Sequence, residues 1–274
     1  MRNTILAGVA VGAIAVVGVA IPANAISDSS ADLYVLHAVP GLTVDVYVNG
    51  DLTLDNFEPS DLAGPLDLPA GTYTVAITAA DAADDSSPAI GPIDLVLDAN
   101  MSYTAVAHLD ASGDPTASLF TNDLSTIPAG EGKLTVRHTA AAPAVDVLAD
   151  GAAAFENLSN PDEVKANLPV GTISAAVALT GTTDPVIGPA DVTIAEGVNT
   201  IVYAWGSAAD ENLDIAVQTI DGLHSNPDGV DAGTAGLAAD DNSGAMFAGL
   251  GALAVLIALA GFAATRLTAA RAAK

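Results

Sequence analysis

Apolar and polar residues alternate over much of the chain, and this period of two is typical of β-strands with one buried face. In residues 43–48 three valines fall on one face, while Asp45 and Tyr47 fall on the other. Asn49-Gly50 follows directly and predicts a two-residue hairpin turn, because both central residues of that turn need a positive φ. Residues 52–57 are then the return strand.

The same pattern occurs twice in the chain. The stretch LYVLHAVPGLTVDVYVNG at residues 33–50 returns as LTVRHTAAAPAVDVLADG at residues 134–151. The matching residues lie 101 positions apart: His37 and His138, Asp45 and Asp146, Gly50 and Gly151. Turn signals downstream recur in the same order, so the sequence predicts two tandem copies of one unit.

Each copy contains seven or eight short predicted strands with turn signals between them. This spacing indicates an all-β fold of two tandem antiparallel β-sandwich repeats of immunoglobulin-like size. Repeat one is predicted at residues 31–123, a linker at 124–131 and repeat two at 132–222. One interruption is expected at Val164–Leu168, where the preceding Asn-Pro-Asp-Glu resembles a helix start and favours a helical turn.

The first 25 residues have the pattern of a secretory signal peptide. Arg2 supplies a short basic start, an uncharged apolar run follows, and Ala23-Asn24-Ala25 gives the small-x-small pattern of a cleavage site. Cleavage is therefore expected after Ala25. An uncleaved membrane anchor is the alternative.

The C-terminal part predicts a membrane anchor. Residues 244–264 carry no charge and are long enough, at about 1.5 Å per residue, to span a hydrocarbon core of about 30 Å. The basic tail at residues 265–274 is expected to stay in the cytoplasm, which places the bulk of the chain outside the cell. Residues 223–243 are the predicted flexible stalk. A buried core helix and a cell-wall sorting signal are the alternatives, and the sortase motif is missing.

Charge restricts the classes of partner. The chain has 33 acidic and seven basic residues, and only Lys133, Arg137 and Lys165 are basic between the two apolar ends. Such a surface repels nucleic acid and anionic lipid heads, and it favours cations or basic partners. The absence of cysteine excludes disulfides, thiol catalysis and thiolate metal sites.

The start of each repeat resembles the family of domains of unknown function numbered 4397 (DUF4397). The residues that carry the resemblance are Val35-Leu36-His37-Ala38-Val39-Pro40, Val44 to Gly50 and Pro69-Ala70-Gly71-Thr72-Tyr73 in the first copy, with Val136 to Thr139, Ala142 to Val147, Asp150-Gly151 and Pro169 to Ile173 in the second. Val39 and Leu148 depart from the usual serine and tyrosine of that family. The resemblance implies an exported, often anchored surface protein, and it implies no particular activity.

The repeated histidines and aspartates are the candidate site residues. If the strands neighbour one another, His37 can pair with Asp45, and His138 with Asp146, as an acid–base or metal-binding pair. The structural interpretation is that these residues hold turns at strand ends. One His and one Asp are too few ligands for zinc, which needs three or four. Since no nucleophile or phosphate-binding motif occurs, the sequence predicts no catalytic residues and no metal site.

Two acidic clusters are candidates for weak calcium binding: Asp81, Asp84 and Asp85, and separately Asp228 and Asp231. Neither matches an EF-hand loop, and the simpler interpretation is an acidic loop with no cofactor. His108 is expected to be a packing residue, because the repeat places Trp205 at the same position.

These observations favour a non-catalytic, single-pass cell-surface protein whose repeats serve binding or adhesion. Its expected partners are the membrane, through residues 244–264, and a cell-envelope polymer or surface protein. A calcium-dependent binder or an enzyme using the His–Asp pairs is one alternative. An extracellular sensor subunit of a membrane complex is another.

Overall fold

The computed structural model describes residues 26–224, which form 16 β-strands and no helix. The first eight strands are β1 (Ser30–Ala38), β2 (Val44–Val48), β3 (Asp51–Phe57), β4 (Leu62–Pro69), β5 (Gly71–Ala79), β6 (Ile90–Leu97), β7 (Ser102–Leu109) and β8 (Pro115–Thr121). The second eight are β9 (Glu131–His138), β10 (Val145–Ala149), β11 (Ala152–Leu158), β12 (Glu163–Pro169), β13 (Gly171–Leu179), β14 (Pro185–Ile194), β15 (Asn199–Trp205) and β16 (Asp214–Ile220).

The strands form four sheets, two in each half of the described chain. The first sandwich pairs a sheet of order β4-β1-β7-β8 with one of order β3-β2-β5-β6. The second pairs β12-β9-β15-β16 with β11-β10-β13-β14, which is the same order advanced by eight strands. The predicted all-β fold with two sandwiches is therefore confirmed.

The prediction of purely antiparallel sheets was wrong at one position in each sandwich. β1 pairs in parallel with β7, and β9 pairs in parallel with β15. Parallel neighbours need a long crossover between them, whereas a short turn can only produce antiparallel ones. Here five strands separate the parallel partners along the chain, so no local turn signal reports the pairing.

The predicted helical turn at Val164–Leu168 was also wrong. These residues belong to β12, which pairs with β9 along its full length from Glu163 opposite Arg137 to Pro169 opposite Glu131. Val164 and Leu168 then pack into the core, so strand pairing and burial outweigh the local helix-start signal. The equivalent strand β4 in the first sandwich was not predicted at all, because Gly64 and Pro65 interrupt its alternation.

Each sandwich has its own aliphatic core between its two sheets. Leu33, Val35, Val44 and Val46 belong to the core of the first sandwich, together with residues of the other strands. Leu134 and Val136 occupy the equivalent places in the second core. The valines that alternate along β2 thus face inward as predicted.

The hairpin turns adopt the backbone conformation that their sequence predicts. Asn49 and Gly50 have φ values of 53° and 84°, and Asp150 and Gly151 have 50° and 80°. In both copies the side-chain oxygen before the glycine accepts a hydrogen bond of 3.0 Å from a backbone N–H of the neighbouring strand, at Thr74 and at Ser174 respectively. Asn49 and Asp150, the first residues of the two turns, therefore also hold the neighbouring strands β5 and β13 in place.

The predicted signal peptide and the predicted membrane helix lie outside the described residues. So does the predicted stalk, except for its first two residues. Within residues 26–224, no helix is long and apolar enough to cross a membrane.

Substitution of Gly50 by alanine should lower the free energy of unfolding by about 1 kcal/mol, because an L-residue at a φ of 84° is strained. Gly71→Ala is the matched control, since Gly71 has no atom within 4 Å of an added Cβ and no positive φ. The control should change the free energy of unfolding by less than about 0.5 kcal/mol. Urea denaturation measures both, and equal effects would contradict the requirement for a positive φ at Gly50.

Candidate functional site

The two sandwiches pack against each other through their sheets. Strands β1, β7, β9 and β15 are buried on almost every residue, because one face meets the sandwich core and the other meets the opposite sandwich. The apolar cluster at this junction comprises Tyr34, Leu36, Ala38, Val106, Phe120, Ile127, Ile201, Tyr203, Trp205, Ala216, Ile220 and Leu223. We call this contact the junction.

A buried arginine is at the centre of the junction. Arg137 on β9 is 1% exposed, and its Nε donates a hydrogen bond of 2.9 Å to Glu163 on the neighbouring strand. Nη1 donates to the hydroxyl of Tyr203 at 2.7 Å, and Nη2 donates to Asn122 Oδ1 at 3.1 Å. Since Asn122 follows the last strand of the first sandwich, the guanidinium joins the two sandwiches directly.

Aromatic and amide groups complete the environment of this guanidinium. Its central carbon lies 4.5 Å from the centroid of the Phe120 ring on β8, a distance at which a cation is attracted by the ring face. The Tyr203 hydroxyl donates to Gln218 Oε1 at 2.6 Å, and the Thr104 hydroxyl from the first sandwich lies 3.1 Å from the same oxygen. A buried charge is stabilised only when such partners are present.

A second ion pair lies at the edge of the junction. Lys133 Nζ lies 2.9 Å from Asp123 Oδ2 and donates to Ser125 Oγ at 2.8 Å. Lys165 Nζ lies 3.6 Å from the same Asp123 oxygen and 3.7 Å from Glu163. Burial alone would raise the pKa of Asp123, but hydrogen bonds from Ser125 and the charge of Lys133 hold it well below its ordinary value.

Charge is therefore segregated within the described part of the chain. Of the 33 acidic residues, only Asp228, Asp231, Asp240 and Asp241 lie beyond residue 224, so 29 acidic residues lie there against three basic ones. All three basic residues are in the junction, and only Lys165 has a substantially exposed side chain, at 47%. The remaining surface of residues 26–224 carries acidic charge alone.

An open groove of about 700 Å³ lies beside this cluster, between the two sandwiches. Its walls are residues 100–102 and 119–124 on one side, and Pro161, Asp162, Glu163 and Lys165 on the other. The volume falls within the range of ligand sites, and both sandwiches contribute to it. The groove, together with the charged residues that border it, is the candidate binding site.

The repeated aspartates hold β-bulges at the hairpins. Asp45 Oδ1 accepts the backbone N–H of Asn56 at 2.8 Å, and Asp146 Oδ1 accepts that of Asn157 at the same distance. Both asparagines have a positive φ and lie where the strand register shifts. Asp146 Oδ2 also accepts the N–H of Gly181, and these bonds lower the pKa of the Asp146 carboxyl.

The repeated histidines hold a different part of the chain, the crossing from one sheet to the other. His37 Nε2 donates to the carbonyl oxygen of Leu42 at 2.6 Å, and His138 Nε2 donates to that of Pro143 at 3.1 Å. Each bond spans five residues and closes the loop between the first and second strands of its sandwich. Burial lowers the pKa of both imidazoles, so both are neutral at pH 7.

The structure does not bring the histidines and aspartates together as a pair. β1 and β2 belong to different sheets of the sandwich, and no hydrogen bond joins His37 to Asp45 or His138 to Asp146. The condition for a His–Asp pair, that the two strands neighbour each other, is therefore not met. Within residues 26–224, no group of three or more His, Cys, Asp or Glu side chains is arranged to hold a metal ion.

His108 lies on β7, in the junction where that strand meets the second sandwich. Nδ1 donates to the carbonyl of Leu109 at 2.8 Å, and Nε2 lies 2.9 Å from Ser118 Oγ. Burial lowers the pKa of this imidazole as well. Nearby, Asn160 of the second sandwich donates to the carbonyls of Leu109 and Ala140, which closes the junction on this side.

Sequence reasoning identified the repeated residues but missed the junction. Lys133, Arg137 and Lys165 were noted as the only basic residues between the two ends, and this scarcity was a signal that they share one site. The repeat also places Leu36 where the second copy has Arg137. A charge that replaces a buried leucine indicates a position where the two copies differ in their contacts.

Arg137→Leu, which copies the residue of the first repeat, should lower the free energy of unfolding by about 3 kcal/mol, since it leaves Glu163 and Tyr203 without their buried partner. Lys165→Leu is the matched control, because Lys165 also pairs with Glu163 but is half exposed. The control should cost less than about 1 kcal/mol. Equal losses in urea denaturation would contradict the central role of Arg137.

The free energy of unfolding should fall as the pH drops below about 6.5, the ordinary pKa of histidine. Burial lowers the pKa values of His37, His108 and His138 from that value. The unfolded chain binds protons there before the folded protein does, so each proton favours unfolding. Carboxyl groups, with an ordinary value of 3.8, contribute mainly at lower pH. Urea midpoints at pH 7.5, 6 and 5 measure the decline, which should be shallower for His108→Phe. A constant midpoint would contradict this assignment.

Comparison with known proteins gives one family match. The model of the family described as "Domain of unknown function (DUF4397)" matches residues 31–148, which cover nearly all of the first sandwich and continue through β9 into β10. No curated protein matches the chain. That the second half is a further copy of this domain stays a prediction, supported by the repeated strand order. Residues 31–148 therefore match the model of the family that the motif of the first repeat resembles.

Proposed function

We propose that this chain is a non-catalytic, membrane-anchored surface protein whose two sandwiches together bind a positively charged partner at the cell envelope. The observation that carries the proposal is the segregation of charge. The three basic residues of the described part are drawn into the junction, and the exterior is acidic. A partner with basic side chains or amino groups is attracted by such a surface, whereas nucleic acid is repelled.

The junction gives this surface a fixed shape. Phe120 and Tyr203 from opposite sandwiches contact the same guanidinium, and Asn160 donates hydrogen bonds to both sides. A groove that is held in one shape before binding loses less entropy when a partner enters it. We therefore place the principal contact at the groove between the sandwiches, where the exposed carboxylate of Asp162 supplies negative charge. Glu163 also lines the groove, but it is already paired with Arg137 and Lys165.

The proposed location follows from the ends of the sequence. Residues 1–25 would direct export, residues 244–264 would hold the protein in the membrane, and residues 223–243 would space the sandwiches from it. The bulk of the chain would then face the outside of the cell, with residues 265–274 in the cytoplasm.

The contacts of the repeated histidines and aspartates, and of Asp84, support a non-catalytic role without a cofactor. Each repeated imidazole already donates its proton to a loop carbonyl, and each repeated carboxylate accepts the N–H of a bulge. In the predicted acidic loop, Asp84 accepts the backbone N–H of Ser86 within its own turn. We assign these residues to local structure.

Retention of purified cell-envelope components by the immobilised full-length protein tests the proposal. We expect retention that falls as the salt concentration rises, because exposed charges are screened, and that is equal with calcium and with chelator. Asp162→Lys, at the groove, should weaken retention strongly. Asp191→Lys is the matched control, since Asp191 is exposed on β14 away from the groove.

Three outcomes would contradict parts of the proposal. Absence of retention under all conditions would contradict a binding function. Equal loss with Asp162→Lys and Asp191→Lys would contradict the groove as the principal contact. Retention that needs calcium would contradict the assignment of the acidic loops to local structure.

A further inference from the structure

The core of the first sandwich contains a cavity of about 200 Å³ between its two sheets. We propose that this cavity binds a small uncharged apolar molecule or the end of an alkyl chain. The site is separate from the groove at the junction, and it does not depend on the function proposed above.

The chemistry of the cavity wall restricts what it can hold. All eight strands of the first sandwich contribute to the wall, and its interior residues are aliphatic, with Leu33, Val46, Ile77 and Leu95 among them. The polar side chains of Asp51 and Thr53 lie at the exposed start of β3, which places the opening at that edge. Water needs two or more polar partners to be stable in a cavity, and this interior offers none, so the occupant must be apolar.

Small residues form one wall of the cavity. Ala105 on β7 and Ala117 on β8 line the cavity, and their equivalents in the second sandwich are Val202 and Ile215. On β3 of the other sheet, Leu54 occupies the position that Phe155 has in the second sandwich. Several other lining positions carry larger side chains than their equivalents, as with Leu66 against Ala166 and Ile93 against Ala190, so the smaller side chains are confined to the β7–β8 wall and Leu54.

The partial exposure of Ala105 agrees with empty space beside this residue. β7 is a central strand with neighbours on both sides, and a residue on its inward face would ordinarily be fully buried. Ala105 is nevertheless only partly buried, whereas the equivalent Val202 is 8% exposed. A molecule the size of water therefore fits beside Ala105 in the middle of the first core, which a densely packed interior would not allow.

Size and charge define the class of ligand. Apolar cavities of about 150 Å³ bind benzene and xenon, so this one holds a molecule of that size or slightly larger. The carboxylate of Asp51 at the opening disfavours an anionic group there. The shared chemistry is an uncharged hydrocarbon group, whose source is either a free small molecule or the acyl chain of a lipid.

Benzene titration of the full-length protein, followed by the methyl NMR signals of its alanines, tests the proposal. We expect saturable shifts at Ala105 and Ala117 and none at Ala152, which is exposed on β11. Ala105→Val should weaken benzene binding at least tenfold, while Ala152→Val, the matched control, should leave it unchanged. If Ala105→Val does not fold, Leu54→Phe is the second filling variant, since the second sandwich already accommodates a phenylalanine there.

The source of the hydrocarbon is distinguished with phosphatidylcholine vesicles that carry a nitroxide on the acyl chain. Broadening of the Ala105 signal by these vesicles identifies a lipid chain, and benzene binding without broadening identifies a free small molecule. Absence of saturable shifts with benzene in the wild-type protein overturns the proposal. So does benzene binding that is unchanged by the filling variants, because the ligand would then lie elsewhere.

Discussion

The arrangement of the whole described region depends on one buried positive charge. Arg137 is 1% exposed, and removing a guanidinium from water is unfavourable unless its donors are bonded and its charge is paired. Those partners come from both sandwiches, with Glu163 and Tyr203 in one and Asn122 and Phe120 in the other. The arginine is therefore satisfied only when the two sandwiches are in contact in this one arrangement.

This constraint also explains why the two sandwiches, which share one strand order, carry different side chains at the junction. Leu36 in the first repeat is equivalent to Arg137 in the second. Phe120 on β8 is likewise equivalent to Gln218 on β16. At these equivalent positions the second copy supplies an arginine and a glutamine, whereas the first supplies a leucine and a phenylalanine. The loss of internal symmetry thus produces a complementary junction, and the same junction collects the basic residues and leaves the exterior acidic.

Much of the local structure was predictable because it depends on neighbouring residues. The Asn49-Gly50 turn, the alternation along β2 and the repetition of both needed only backbone conformation and a period of two. The parallel pairing of β1 with β7 could not be predicted, because five other strands intervene. Strand β12 was mistaken for a helical turn because the stabilising pairing with β9 comes from distant residues. The conditional pairing of His with Asp does not occur for a related reason, since the chain changes sheet between the two residues.

The sequence by itself determined the all-β class, the repeated motif, the acidic charge and the match of residues 31–148 to the DUF4397 model. These properties depend on residue type and on short spacings, which do not change when the chain folds. Only the tertiary structure decided which residues meet across the junction, where the groove lies, and that the first core is left partly empty. Each of these depends on contacts between strands far apart in the chain, and packing volume is a property of all eight strands together.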